Sequence, residues 1–125
     1  MGKLTEGEKH KAMKEAVNDL LCLSYDYVRG EHRCYPDYFH YLIADVYVSH
    51  DCVRYIVECE TNPTRSRLKA KARLIEILGE QTLGVLVIAE ADYGGLEWVK
   101  GLPGIFHRVL VYNHDTRRFT RDHVL

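Results

Sequence analysis

The segment Leu83-Gly84-Val85-Leu86-Val87-Ile88-Ala89 is the feature that most constrains the fold. No position in it is polar, so no register gives it a wet face. A strand of this kind has to be covered on both sides, as a central strand of an α/β sheet is. A chain of 125 residues, 46% of them hydrophobic, is enough for one such core and one domain spanning residues 1–125. The run is far too short to cross a bilayer.

The flanking segments supply the cover. Thr5 to Ser24 reads as an amphipathic helix, with Met13, Val17, Leu20 and Leu21 at helical spacing. A second helix is expected from Arg65 or Ser66 to Leu78, capped by Thr64 or Ser66 and stopped by Gly79. Tyr41–Ser49 and Cys52–Glu60 are rich in aromatic and β-branched residues and read as a hairpin turning at His50-Asp51. Tyr25, Tyr27 and Val28 are candidates for a short first strand, and Pro36 breaks the stretch between Val28 and Phe39. Leu96 to Lys100 suits one helical turn, Ile105 to Asn113 a further strand, and Arg117 to Thr120 a short edge. The helix between Glu60 and Leu83 is a crossover, which implies a parallel strand pair in a mixed sheet. The fold class expected is α/β, a mixed sheet flanked by helices.

Several chemistries lack support. Cys22, Cys34, Cys52 and Cys59 form no CxxC pair, so a structural zinc site is not indicated. None of the four lies in an obviously electropositive setting, as a Cys-His hydrolase requires. His32, Cys34 and His40 are close in sequence but have no second ligand pair. Phosphate-binding glycine motifs are missing. The N-terminal MGKLTEGEKHK lacks the apolar run of a signal peptide, so an intracellular, cytoplasmic protein with reduced thiols and no membrane association is expected. The nine tyrosines suggest a homodimer interface.

The chemistry-bearing pattern is a set of acids inside strands. Acids are depleted from strands and rarely buried unpaired. Glu58 and Glu60 share one face by the two-residue period, and Asp45 belongs to the face that includes Ile43 and Tyr47. With His50-Asp51 as the turn, Ser49 pairs with Cys52, Asp45 with Ile56 and Ile43 with Glu58. Asp45 and Glu58 then become diagonal neighbours, roughly 7–8 Å apart between Cα atoms. Two carboxylates at that spacing can hold one hard divalent cation, Mg²⁺ or Mn²⁺. Such an ion lowers the pKa of a bound water and neutralises charge on a phosphate oxygen, so the reaction implied is phosphodiester hydrolysis. If the acids serve only the metal, removing Asp45 or Glu58 should leave the metal-free fold as stable as before, or slightly more so.

A basic run comes next in the chain. Arg65, Arg67, Lys69, Lys71 and Arg73 stand in nine residues without an intervening acid. They suit contacts to DNA phosphates in a chain whose net charge of −1 provides no global attraction. At 100° per residue, Leu68, Ala72, Ile75 and Leu78 define the buried face. Lys69 and Arg73 point away from it, and Lys71 falls inside the apolar arc. Lys71 therefore either snorkels past the rim or aims at the carboxylates. On the first helix, Glu6 and His10 align with Met13 and Val17. Glu6 either reaches toward the metal or stays solvated at the helix N-terminus.

These residues resemble the PD-(D/E)XK nucleases, a superfamily that includes restriction enzymes, archaeal Holliday-junction resolvases and RecB-type nuclease domains. Its core runs helix, three strands, helix, strand, with Asp on the second strand and (D/E)-x-K on the third. Ala44-Asp45 takes the place of Pro-Asp, and Glu58-Cys59-Glu60 that of (D/E)-x-K. The match spans about residues 5 to 90. It implies a restriction-endonuclease-like fold, Asp45 and Glu58 as metal ligands, and a DNA endonuclease. Branched or structured DNA is the candidate substrate and a homodimer the candidate assembly. Glu60 departs from the family lysine, which normally assists the attacking water. Some members carry Glu there, and in others a base from the next helix supplies the charge, for which Lys71 is the candidate. The alternative is a non-catalytic nucleic-acid-binding or assembly protein that kept the fold.

Overall fold

The computed structural model describes residues 3–34, 42–94 and 106–125. In chain order the elements are α1 (Glu6–Cys22), β1 (Val28–Cys34), β2 (Leu42–His50), β3 (Val53–Glu60), α2 (Arg65–Ile77), β4 (Thr82–Ala89), a 3₁₀ turn (Glu90–Asp92), β5 (Phe106–Asn113) and β6 (Arg118–Val124). The expected turn at Leu96–Lys100, Tyr41 and His40 lie outside the described residues.

The strands form one mixed sheet in the order β1-β2-β3-β4-β5-β6. β1, β2 and β3 pair antiparallel, β3, β4 and β5 pair parallel, and β6 returns antiparallel to β5. The crossover inferred from the second helix is therefore present, and the sheet is α/β as expected. β4 is central, and its Val85 to Ala89 are 5% exposed or less.

Each face has its own core. α2 places Leu68, Ala72 and Ile75 against Ala44, Ile56, Leu86, Ile88, Val109 and Val111. α1 places Met13, Val17 and Leu21 against Val46, Val48, Val57, Val85, Val87 and Leu110. Thr5 begins α1 through a capping box with Glu8, in which each side chain accepts the other's backbone N–H at 3.1 and 3.0 Å. Gly79 takes φ +112° just after α2, a conformation costly for any residue with a Cβ. None of the described helices is long and apolar enough to cross a membrane.

The hairpin corrects the expected register. His50 pairs with Val53 and Tyr47 with Ile56, so the turn is Asp51-Cys52 rather than His50-Asp51. Both turn residues have positive φ, 49° and 64°, as a type I′ turn requires. Shifting the turn by one residue moves the pairing by two, so Tyr47, not Asp45, lies opposite Ile56.

A second departure lies in β2 itself. Leu42 and Ala44 pack on the α2 face, whereas Val46 and Val48 pack on the α1 face. A regular strand keeps even-numbered residues on one side. β2 therefore changes face at Asp45. β1 does the same, with Val28 packed on the α1 side and Cys34 on the α2 side. The register of the pair runs unchanged from Val28↔Val48 to Cys34↔Leu42 but skips Glu31 and Asp45. Glu31 has φ +47°.

Candidate functional site

β3 presents Glu58 and Glu60 on the α2 face, following Ile56 at the two-residue period. Their side chains are 0% and 2% exposed. α2 starts directly afterwards, because Pro63 ends the strand and Thr64 Oγ1 accepts the Arg67 amide at 3.3 Å as the N-cap. Arg67 and Lys71, one helical turn apart, come down on these acids. Lys71 Nζ lies 2.7 Å from Glu58 Oε2 and 2.5 Å from Glu60 Oε1, and Arg67 Nη2 lies 3.3 Å from Glu60 Oε2. Of the two readings of Lys71, the structure takes the inward one. Among the described residues, Glu58 Oε1 is buried without a hydrogen-bond partner.

Asp45 sits where β2 changes face. Its Oδ2 accepts the Cys59 amide at 2.8 Å, taking the place of a ladder partner for β3. Its Oδ1 lies 3.3 Å from His10 Nε2 of α1. Asp45 is thus wedged at the branching of β2 from β3 rather than standing on the simple face expected from alternation. Its charge still reaches Glu58 and raises that group's proton affinity.

The electrostatics follow from burial. Desolvation pushes the Glu58 carboxyl up to about 8, against the attraction of Lys71 and with help from the charges of Asp45 and Glu60. Burial works against the Lys71 ammonium, but Glu58 and Glu60 override it and hold Lys71 above the ordinary lysine range. Burial pushes the Cys59 thiol well up and raises the Cys34 thiol, which keeps both protonated and poor nucleophiles.

The remaining sequence candidates are spread more widely. Arg65, Lys69 and Arg73 are exposed on α2, and Arg67 is exposed except where it reaches Glu60. Glu6 is exposed and pairs with Lys9 at 3.6 Å, so the α1 side chain that contacts Asp45 is His10, one turn further on. The alignment of His10 with Met13 and Val17 carried that signal. Lys14 had none, because its role depends on the kink in β1, where it pairs with Glu31. His32 stacks near Tyr47 with ring centroids 4.2 Å apart, and His107 Nδ1 accepts the Gly84 amide at 3.1 Å where the β4–β5 register slips.

Among the described residues no three of His, Cys, Asp and Glu already converge as a ligand set. The Lys71 ammonium holds the space between Glu58 and Glu60. The donors that would hold a hard cation are Glu58, a buried carboxylate whose Oε1 has no hydrogen-bond partner among the described residues, and Asp45, which is oriented by a backbone amide and whose charge acts on Glu58. No protein-family model, curated protein or solved structure matches this chain.

Proposed function

We propose that this protein is a metal-dependent DNA nuclease with a restriction-endonuclease-like core. The observation that carries the reading is the burial of Glu58 and Glu60 beneath Lys71 and Arg67, with Asp45 held beside them by the Cys59 amide. Buried acids of this density are costly unless they serve a cation or a reaction. The element order, helix, three strands, helix, strand, agrees with the resemblance, and Asp45 and Glu58 fall on its second and third strands.

Asp45 and Glu58 would hold Mg²⁺ or Mn²⁺, which when bound supplies a water of lowered pKa and positive charge for the phosphate. Lys71 brings a protonated amine into the same site from α2, the position from which it can replace the charge missing at Glu60. Arg67 neutralises Glu60, so that acid does not repel the incoming phosphate. Arg65, Lys69 and Arg73 extend the positive surface outward for phosphates on either side of the scissile bond.

A second reading has its own observation. Glu60 is bridged by both Lys71 and Arg67, an arrangement that also suits a structural ion-pair network in a non-catalytic DNA-binding or assembly protein. Purified protein incubated with plasmid, linear and junction DNA in Mg²⁺, Mn²⁺ or EDTA separates the two. Cleavage that needs the metal and is lost in Asp45→Asn supports the nuclease. Binding without cleavage in any metal supports the binder.

A further inference from the structure

We infer that Lys14 and Glu31 are positioning residues that hold Asp45 in place through the paired kink of β1 and β2. The inference rests on the reading of Asp45 as a ligand of the nuclease site.

Asp45 owes its position to a defect in regular sheet structure. Both strands change face at one level, and the two residues at that level, Glu31 and Asp45, are those missing from an otherwise continuous register. Glu31 adopts φ +47°, a left-handed conformation unusual for a residue with a long side chain and without glycine's freedom. Something must hold it there, since local strain persists only where the surroundings over-determine it. α1 does so. His10 and Lys14 are one helical turn apart, on the same helix face. His10 contacts Asp45, and Lys14 forms an ion pair with Glu31. One helix thus grips both members of the kinked pair. Lys14 is mostly buried while Glu31 is exposed, so the contact anchors a strand edge to the helix rather than filling the core.

The consequence reaches β3. With β2 turned away at Asp45, the Cys59 amide loses the strand that would continue the ladder and takes Asp45 Oδ2 instead, at 2.8 Å. Asp45 stays beside Glu58 only as long as the kink is kept.

The test uses the full chain without metal and reads the Cys59 amide by hydrogen exchange. Lys14→Met keeps the aliphatic stem and removes the charge. Glu31→Asn keeps a residue tolerant of left-handed backbone and removes the charge. In both, Cys59 exchange should quicken by about tenfold, the order expected when one buried hydrogen bond loosens. The amides of Val87 and Ile75 should not change, because an exposed ion pair adds little to global stability. Lys14→Arg should restore protection. Unchanged Cys59 exchange in both variants overturns the inference, and so does an equal rise at all three amides, which marks a merely structural contact. A parallel Mn²⁺ titration of wild-type protein keeps the two ideas apart: absence of uptake counts against the nuclease reading, whereas the Cys59 amide alone decides the clamp.

Discussion

Asp45 and Glu58 are both acids in strands, yet the structure gives them opposite effects on the metal-free fold. Asp45 satisfies a buried backbone donor, the Cys59 amide. Asp45→Ala orphans that amide and should cost about 1–3 kcal/mol. Asp45→Asn retains an acceptor, so it should fold nearly normally while losing metal binding and cleavage. Glu58 instead is a buried group whose Oε2 accepts from Lys71 while its Oε1 has no hydrogen-bond partner among the described residues. Glu58→Gln should match or exceed wild-type stability in EDTA and also abolish cleavage. Urea melts of the three variants in EDTA check this. The expectation from sequence, that either acid can be removed without loss, is therefore revised for Asp45, whose carboxylate satisfies the Cys59 amide.

At the scale of the element, α2 divides its basic residues by direction. Lys69→Ala should weaken DNA binding and reduce the salt dependence by about one phosphate contact, with little effect on single-turnover cleavage of saturated DNA. Lys71→Ala should lower that turnover far more than affinity, because its ammonium lies between Glu58 and Glu60 at the proposed reaction site. Equal losses confined to binding would remove Lys71 from the mechanism. The hairpin offers a stability test. Cys52 is exposed with φ +64°, the second position of a type I′ turn. Cys52→Gly creates Asp-Gly, the favoured pair for that turn, and should stabilise by about 1 kcal/mol in thermal melts.

For the whole molecule, pH and the proposed metal would be linked through Glu58. Its carboxyl titrates near 4.5 when unfolded and at about 8 when folded. Between these values the folded protein holds the extra proton, so metal-free stability should fall as pH rises from 4.5 to about 8. His114 opposes this slope, since burial lowers its pKa from 6.5. Glu58→Gln leaves His114 in place, so the difference between the two proteins isolates Glu58. The metal needs the ionised carboxylate, so stabilisation by Mn²⁺ should grow with pH up to about 8 and reach about 2.7 kcal/mol at a hundredfold excess over its dissociation constant. A shift that ignores pH would remove Glu58 from the ligands. The molecule's charge is also uneven. A cleft of about 1600 Å³ between α1 and the β5–β6 end carries more acids, among them Glu6, Glu15, Asp19 and Asp92, than bases, which are Lys3, Lys9 and Arg117. The proposed DNA substrate would be repelled by these acids, which favours the α2 side for it.

What the sequence determined by itself is the class of the fold and which elements carry the acids and the bases, β3 and α2. The continuous apolar run of β4 required cover on both faces, and the 3.6-residue period of α2 pointed Lys69 outward and put Lys71 within the apolar arc, leaving the choice between rim and carboxylates to the tertiary structure. These are local periodicities, and a single segment carries them. Tertiary structure alone decided the placement of Asp45. The two-residue period assumes a regular strand, and β2 breaks that period where its partner β1 breaks its own, under the grip of His10 and Lys14 from α1. The hairpin register likewise depended on which two residues accept positive φ, and the sheet selected Asp51-Cys52 against the conformational preference of Cys52, the register that sets Val46 against Val57 and Tyr47 against Ile56. Both decisions balance contacts far apart in the chain, and no one segment contains that balance.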